Sequence, residues 1–184
     1  ADSYYAIKRY TEAIRTYSRI GGEDGNDYAL YQIGQAYYNA GDSFEAITSF
    51  RRLLSTFPES DWVEEAQYNL GYLYFQNQNY DQAISVYQDL IANYPRDPLA
   101  AKAQYGIGDA LFNGGDLNGS VDAYKTVLDR YPTSVFASDA AAGIQIALIA
   151  LGDEERAEQI IADFNEQNPS SALGDELRFR QAEV

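Results

Sequence analysis

The sequence predicts an all-α fold, a solenoid of antiparallel helix pairs stacked one on the next. Three observations predict it. Pro58, Pro95, Pro132 and Pro169 follow one another at intervals of 37 residues, and a fixed period of that size marks one supersecondary unit stacked on copies of itself. Other columns keep the same interval. Ala29, Ala66, Ala103 and Ala140 form one; Gly34, Gly71, Gly108 and then Gln145 form a second; Phe50, Tyr87, Tyr124 and Ile161 form a third. Within a period, apolar residues recur twice at helical spacing, first as Ala66, Leu70, Leu73 and Tyr74, then as Ala83, Ile84, Tyr87, Leu90 and Ile91.

The elements follow in order. Residues 1–20 read as one helix with Ile7, Tyr10, Ile14 and Tyr17 on one face. Its Ala13-Ile14…Tyr17…Ile20 repeats Ala46-Ile47…Phe50…Leu53, so it is a second-type helix lacking most of its partner. Four full hairpins follow, at residues 27–60, 61–97, 98–134 and 135–170. Their inner turns are Ala40-Gly41-Asp42, Asn77-Gln78-Asn79, Gly114-Gly115-Asp116 and Leu151-Gly152-Asp153. Glycine there ends the first helix in the left-handed conformation, and the following Asp or Asn caps the second. Each proline then stops the second helix, because it disfavours the helical state in the residue before it. Two residues on, Ser60, Asp97, Ser134 or Ser171 is placed to cap the next helix, with Pro98 favoured at a first helical position. Gly34 and Gly71 are expected to face Ala46 and Ala83, letting paired helices approach closely. Residues 171–184 read as a first-type helix without a mate. The apolar faces of the end helices, with Ile7, Ile14, Leu177 and Phe179, offer a route to self-association.

Composition narrows the function. The chain carries 28 acidic against 13 basic residues, a net charge of −15. That argues against nucleic-acid binding through phosphate neutralisation and favours a neutral or basic partner. The longest apolar run, Ala140 to Leu151, is too short for a bilayer, which needs about 20 residues, so no direct membrane span is expected. There is no Cys, Met or His. The missing Met points to a processed form or an excised fragment. The missing His and Cys remove the commonest general bases, thiol nucleophiles and imidazole or thiolate metal ligands. No enzyme, cofactor or metal is expected. Glu23-Asp24-Gly25-Asn26-Asp27 offers oxygen ligands but lacks a twelve-residue calcium loop and its closing Glu.

The repeats resemble the tetratricopeptide family, whose signature runs W-x2-L-G-x2-Y, A-x3-F, P. The first hairpin reads Leu30-x2-Ile33-Gly34-x2-Tyr37, Ala46-x3-Phe50, Pro58, and the second Gln67-x2-Leu70-Gly71-x2-Tyr74, Ala83-x3-Tyr87, Pro95. The third reads Gln104-x2-Ile107-Gly108-x2-Leu111, Ser120-x3-Tyr124, Pro132, and the fourth Ala141-x2-Ile144-Gln145-x2-Leu148, Ala157-x3-Ile161, Pro169. Tryptophan never fills the first position. Three residues beyond the family's usual 34 follow each proline and are expected to lengthen the first helix. Tyr94-Pro95 and Tyr131-Pro132-Thr133-Ser134 resemble a bacterial cell-envelope branch that includes the Tol–Pal-associated periplasmic coordinator and the helical lipoprotein of the barrel-assembly machine. Periplasm or cell envelope is the implied location, with cytoplasm the alternative.

The resemblance implies a right-handed superhelix, a non-catalytic protein-interaction scaffold and a concave groove lined by first helices. Carried over, the groove positions are Tyr28, Tyr31, Gln35, Tyr38 and Asn39; then Glu65, Tyr68, Tyr72, Phe75 and Gln76; then Lys102, Tyr105, Asp109, Phe112 and Asn113. The fourth hairpin gives Asp139, Ala142, Ile146, Ile149 and Ala150. Eight of the first fifteen are aromatic, a composition favoured in recognition surfaces. A protein or peptide segment with apolar anchors suits them. With the aromatics gone from the fourth hairpin, the binding region narrows to the units ending at Pro58, Pro95 and Pro132. The carboxylate clamp of chaperone adaptors is argued against, because the matching places hold Tyr31, Gln35, Tyr68, Tyr72, Tyr105 and Asp109. A second reading is a glycan or peptidoglycan groove, since rings with Asn, Gln and Asp also stack on sugars.

Overall fold

The structure is a computed structural model that describes residues 9–21 and 26–168. Among the described residues all regular structure is helical: α1 (Tyr10–Gly21), α2 (Asp27–Ala40), α3 (Ser43–Thr56), α4 (Val63–Gln76), α5 (Tyr80–Asn93), α6 (Pro98–Gly114), α7 (Leu117–Arg130), α8 (Ala137–Leu151) and α9 (Glu154–Gln167). The chain divides into two units, Ala1–Val86 and Tyr87–Val184, with the division inside α5.

In the first unit α1 packs on α2, α2 on α3 and α3 on α4. The face of α1 is partnered: Ala13 and Tyr17 are buried against Ala29, with Ile33 beside them. Ile14 is half-buried, while Ile20 near the end of α1 is 61% exposed. Ile7, Leu177 and Phe179 lie outside the described residues, as do Ser171 and most of the acidic stretch Glu23–Asp27. In the second unit α6 packs on α7, α7 on α8, α8 on α9, and α6 also touches α8. Its core joins Val121, Tyr124, Val127 and Leu128 of α7 to Ala140, Ile144 and Leu148 of α8.

Turn chemistry follows the sequence at the inner corners. Gly41, Gly115 and Gly152 adopt φ of 82°, 90° and 74°, the left-handed region that glycine enters without steric cost. In the second hairpin Gln78 takes φ 61° instead. Asp42 and Asp116 cap α3 and α7 by accepting from the backbone N–H of Glu45 (3.2 Å) and Gly119 (2.9 Å). Asp153 makes no such bond.

The corners after the prolines correct the expectation. Asp97 does cap α6, accepting from Leu99 N–H at 2.7 Å, with Pro98 opening the helix. Ser60 and Ser134 do not cap. Without a proline to fix the helical φ at the next residue, the chain makes a turn first, and α4 and α8 begin at Val63 and Ala137. Ser60 instead accepts from Trp62 N–H at 3.2 Å and donates to Asp27 at 2.8 Å. Ser134 Oγ is buried with no hydrogen-bond partner. The residues beyond the family's usual unit therefore lengthen α6, to 17 residues, while α2 and α4 have 14 each.

Gly34 and Gly108 of the glycine column serve rings rather than alanines. A Cβ on Gly34 would lie 2.6 Å from the Phe50 ring, and one on Gly108 would lie 2.4 Å from Tyr124. Tyr124 is clasped on its other edge by Gly143 of α8, where a Cβ would lie 2.7 Å away. In the fourth hairpin the ring becomes Ile161 and the glycine becomes Gln145, so both members of the pair change together. The positions matching the family's tryptophan in the second and third hairpins also have a defined task. Gln67 donates to the carbonyl of Val86 (3.3 Å) and Gln104 to that of Ala123 (3.0 Å). Each ties a first helix to its second helix by a hydrogen bond that few solvent molecules can replace.

Candidate partner-binding surface

The expected groove residues lie on first helices, and the structure sorts them into three settings. Tyr28 and Tyr31 of α2 are engaged with their own chain. Tyr31 stacks on Trp62 with ring centroids 4.8 Å apart and planes 22° apart, and Tyr28 lies 5.4 Å from the same indole. Tyr28 also meets Tyr17 edge-on at 6.1 Å. Gln35 donates to the Tyr31 hydroxyl at 2.9 Å, and burial raises that hydroxyl's pKa.

The second setting is a row of rings across α2 and α4. Tyr38 meets Tyr72 edge-on at 6.3 Å; Tyr72 stacks on Tyr68 at 6.5 Å and on Phe75 at 6.4 Å. Phase explains the row: Tyr68, Tyr72 and Phe75 are four and three apart on one helix, so their side chains share a face. All four rings are half-buried, with Glu65 half-buried and Gln76 and Asn39 exposed nearby in the sequence. Asn39 turns its amide back onto the Gln35 carbonyl at 2.7 Å.

The third setting lies in the second unit, between α6 and α8. Tyr105, Asp109 and Phe112 of α6, Tyr124 of α7, and Asp139, Ala142, Gly143 and Ile146 of α8 line an open cavity of about 250 Å³. Tyr105 forms part of its floor, 5.5 Å from Tyr124 and stacked on Phe136 at 5.9 Å. The Tyr124 hydroxyl donates to Asp109 at 2.7 Å. Burial raises the pKa of Asp109 against the opposing effect of that hydrogen bond and one from Tyr105, and the charge of Asp139 raises it further. Burial, with Asp109 and Asp139 adding, pushes Tyr105 up to about 12. Asn113 is exposed and Lys102 half-buried. Ile146 and Ile149 are each 57% exposed on α8.

Two features lay beyond the sequence reading. Trp62 and Phe136 each cover a first-helix tyrosine, Tyr31 and Tyr105. The signal was present: Trp62, Leu99 and Phe136 share the 37-residue interval, but the column mixes residue types and sits outside the family signature. The fourth hairpin also contributes to the third setting through Asp139, Ala142, Gly143 and Ile146, although its aromatic groove residues are gone. Cavity walls need not be aromatic on both sides.

Residues 23–155 match the model of the YfiO family, described as an outer membrane lipoprotein. The chain belongs to the YfiO family. Solved structures of MamA resemble this YfiO-family chain throughout. One covers 100% of this chain and 96% of its own, with 22% identity and a TM-score of 0.74. Another covers 91% and 87%, with 23% identity and a TM-score of 0.72. MamA 41-end from Desulfovibrio magneticus RS-1 covers 93% and 96%, with 22% identity and a TM-score of 0.67. At these identities the likeness is one of fold, and the fold is a tetratricopeptide-type α-helical repeat. No curated protein matches the chain by sequence. No helix among its described residues is long and apolar enough to cross a membrane.

Proposed function

We propose that this protein is a non-catalytic scaffold of the cell envelope that binds a segment of a partner protein along the ring-bearing face of its first-type helices. The observation that carries the reading is the row Tyr38, Tyr72, Tyr68 and Phe75, four half-buried rings in mutual contact on two first helices. Rings of this kind present a rigid apolar face at small entropic cost, and tyrosine adds a hydroxyl. The net charge of −15 favours a neutral or basic partner. The family's description as an outer membrane lipoprotein supports the envelope.

The test places a photo-reactive benzoyl-phenylalanine at Tyr72 and, in a second variant, at Phe44. Phe44 is 75% exposed on the second-type helix α3, more accessible than half-buried Tyr72, so it samples the other surface as a stringent control. Partner cross-links confined to position 72, mapped by mass spectrometry to one extended protein segment, are the expected result. Equal cross-linking at both positions, or saturable binding of peptidoglycan fragments without protein cross-links, overturns the proposal.

A further inference from the structure

The cavity between α6 and α8 has a chemistry that the ring row of the first unit lacks. We propose that it receives one basic side chain, an arginine or lysine, of the bound partner segment. The inference rests on the scaffold reading for the origin of that side chain, and on this cavity alone for its chemistry.

Size comes first. At about 250 Å³ the cavity lies below the range of about 300–1,000 Å³ usual for small-molecule and cofactor sites. A single long side chain suits it better. The walls then divide by polarity. Phe112, Ala142 and Ile146 offer apolar surface, to which the methylene stem of a long basic side chain can pack while its charged head reaches a polar end. Asp109 and Asp139 supply that end from opposite helices, α6 and α8, and no lining residue carries a positive charge.

Asp109 is built in rather than loosely exposed. The Tyr124 hydroxyl fixes one of its oxygens at 2.7 Å, and Tyr124 is itself held between Gly108 and Gly143. An ionised carboxylate has about four acceptor positions. The Tyr124 hydroxyl that bonds Asp109 therefore leaves acceptor capacity for a guanidinium or ammonium group. Burial and the neighbouring Asp139 both disfavour the charge on Asp109, and an arriving cation offsets both. Tyr105 also lines the cavity, and an aromatic ring attracts a cation held against its face. A neutral polar side chain would gain the hydrogen bonds without relieving the paired negative charges, and an acidic one would be repelled.

The experiment uses the whole 184-residue chain, labelled for NMR at backbone amides and isoleucine methyls. It is titrated at low salt with acetyl-Ala-Arg-Ala-amide, the lysine equivalent, and the citrulline equivalent, which keeps the shape of arginine without its charge. Saturable shifts of the Gly143 amide and the Ile146 methyl are expected for the arginine or lysine peptide. Citrulline should bind at least about tenfold more weakly, and added salt should weaken the charged peptides. Asp109→Asn/Asp139→Asn should lose the preference for the cation, while the rest of its spectrum reports an intact fold. Asp139→Asn, at an exposed position, provides a second variant that leaves Asp109 and its tyrosines in place and should still weaken the charged peptides severalfold. Equal shifts for arginine and citrulline, or shifts unchanged in the Asn variants, overturn the proposal. Cross-linking at position 72 addresses the scaffold reading separately, because it concerns the other unit: cross-links there without cation preference here would refute only the cavity's role, and the converse only the scaffold.

Discussion

Gly108→Ala should destabilise the protein although it replaces the poorer helix former with the best one. In an open helix interior the change would contribute about 1 kcal/mol in favour of folding. Here the new Cβ would stand 2.4 Å from Cδ1 and Cε1 of Tyr124, against about 3.5–4.0 Å for carbon atoms in comfortable contact. The ring would have to move by roughly 1 Å or more. It has nowhere to go, because Gly143 sits against its other edge and its hydroxyl is bonded to Asp109 at 2.7 Å. Overpacking of this kind costs about 1–3 kcal/mol. With the helix-propensity gain subtracted, the net loss is about 1–2 kcal/mol at the upper part of that range. Urea denaturation followed by circular dichroism measures it. The decisive comparison is the same substitution in a Tyr124→Ile background, which copies the Gln145–Ile161 pairing of the fourth hairpin. There Gly108→Ala should become neutral or stabilising. A stabilising effect in the parent protein, or an equal loss in both backgrounds, would refute the reasoning.

Further expectations follow from other contacts. Trp62→Ala removes the stack on Tyr31 and the contact with Tyr28, and should cost about 2–3 kcal/mol, less than a fully buried indole would; a change within about 0.5 kcal/mol, the usual range for a surface site, would contradict the packing role. Gln104→Leu breaks the tie from α6 to the Ala123 carbonyl at 3.0 Å and should cost about 1 kcal/mol, more than Gln67→Leu, whose bond is longer at 3.3 Å; the reverse order in denaturation midpoints would refute it. Asp109 faces Tyr105 on its own helix, Tyr124 on α7 and Asp139 on α8, and its pKa is raised on folding. The folded state therefore binds its proton more readily than the unfolded chain, and this contribution to stability falls as pH rises from the unfolded value of about 3.9 to the higher folded one, then stays level. Subtracting the pH profile of Asp109→Asn from that of the parent protein should isolate that slope, and a difference of opposite sign would show that the carboxylate is stabilised as an anion.

Much of the fold was legible because its determinants are local and repeated. Gly41, Gly115 and Gly152 mark corners that require positive φ, and Pro98 marks a helix start by fixing one dihedral. The corners at Ser60 and Ser134 were misread because a capping residue acts only if the next residue turns into a helix, and nothing beside those serines forces that turn. The glycine column was visible, but its purpose was not. Sequence spacing places Gly34 near both Ala46 and Phe50, and only side-chain direction decides which one fills the notch. Candidate binding residues were harder still. Tyr28, Tyr31 and Tyr38 occupy equivalent-looking exposed positions in the pattern, yet the first two are taken up by Trp62 and the third joins the row with Tyr72. That difference depends on Trp62, which lies just before α4, one full hairpin further along the chain. The cavity beside Asp109 was hidden for a similar reason: half of its lining comes from Asp139, Ala142, Gly143 and Ile146 of α8, in the hairpin whose loss of aromatics narrowed the expected binding region to the other three.

The most direct test of the account concerns the ring row. The partner segment identified by cross-linking at position 72 would be made as a synthetic peptide, and its dissociation constant measured for the parent protein and for Tyr68→Ala/Tyr72→Ala. Removing two aromatic anchors from a binding face should weaken the complex at least about tenfold, with the helical circular dichroism retained. An unchanged dissociation constant in the folded double variant would contradict the claim that this face is where the protein meets its partner.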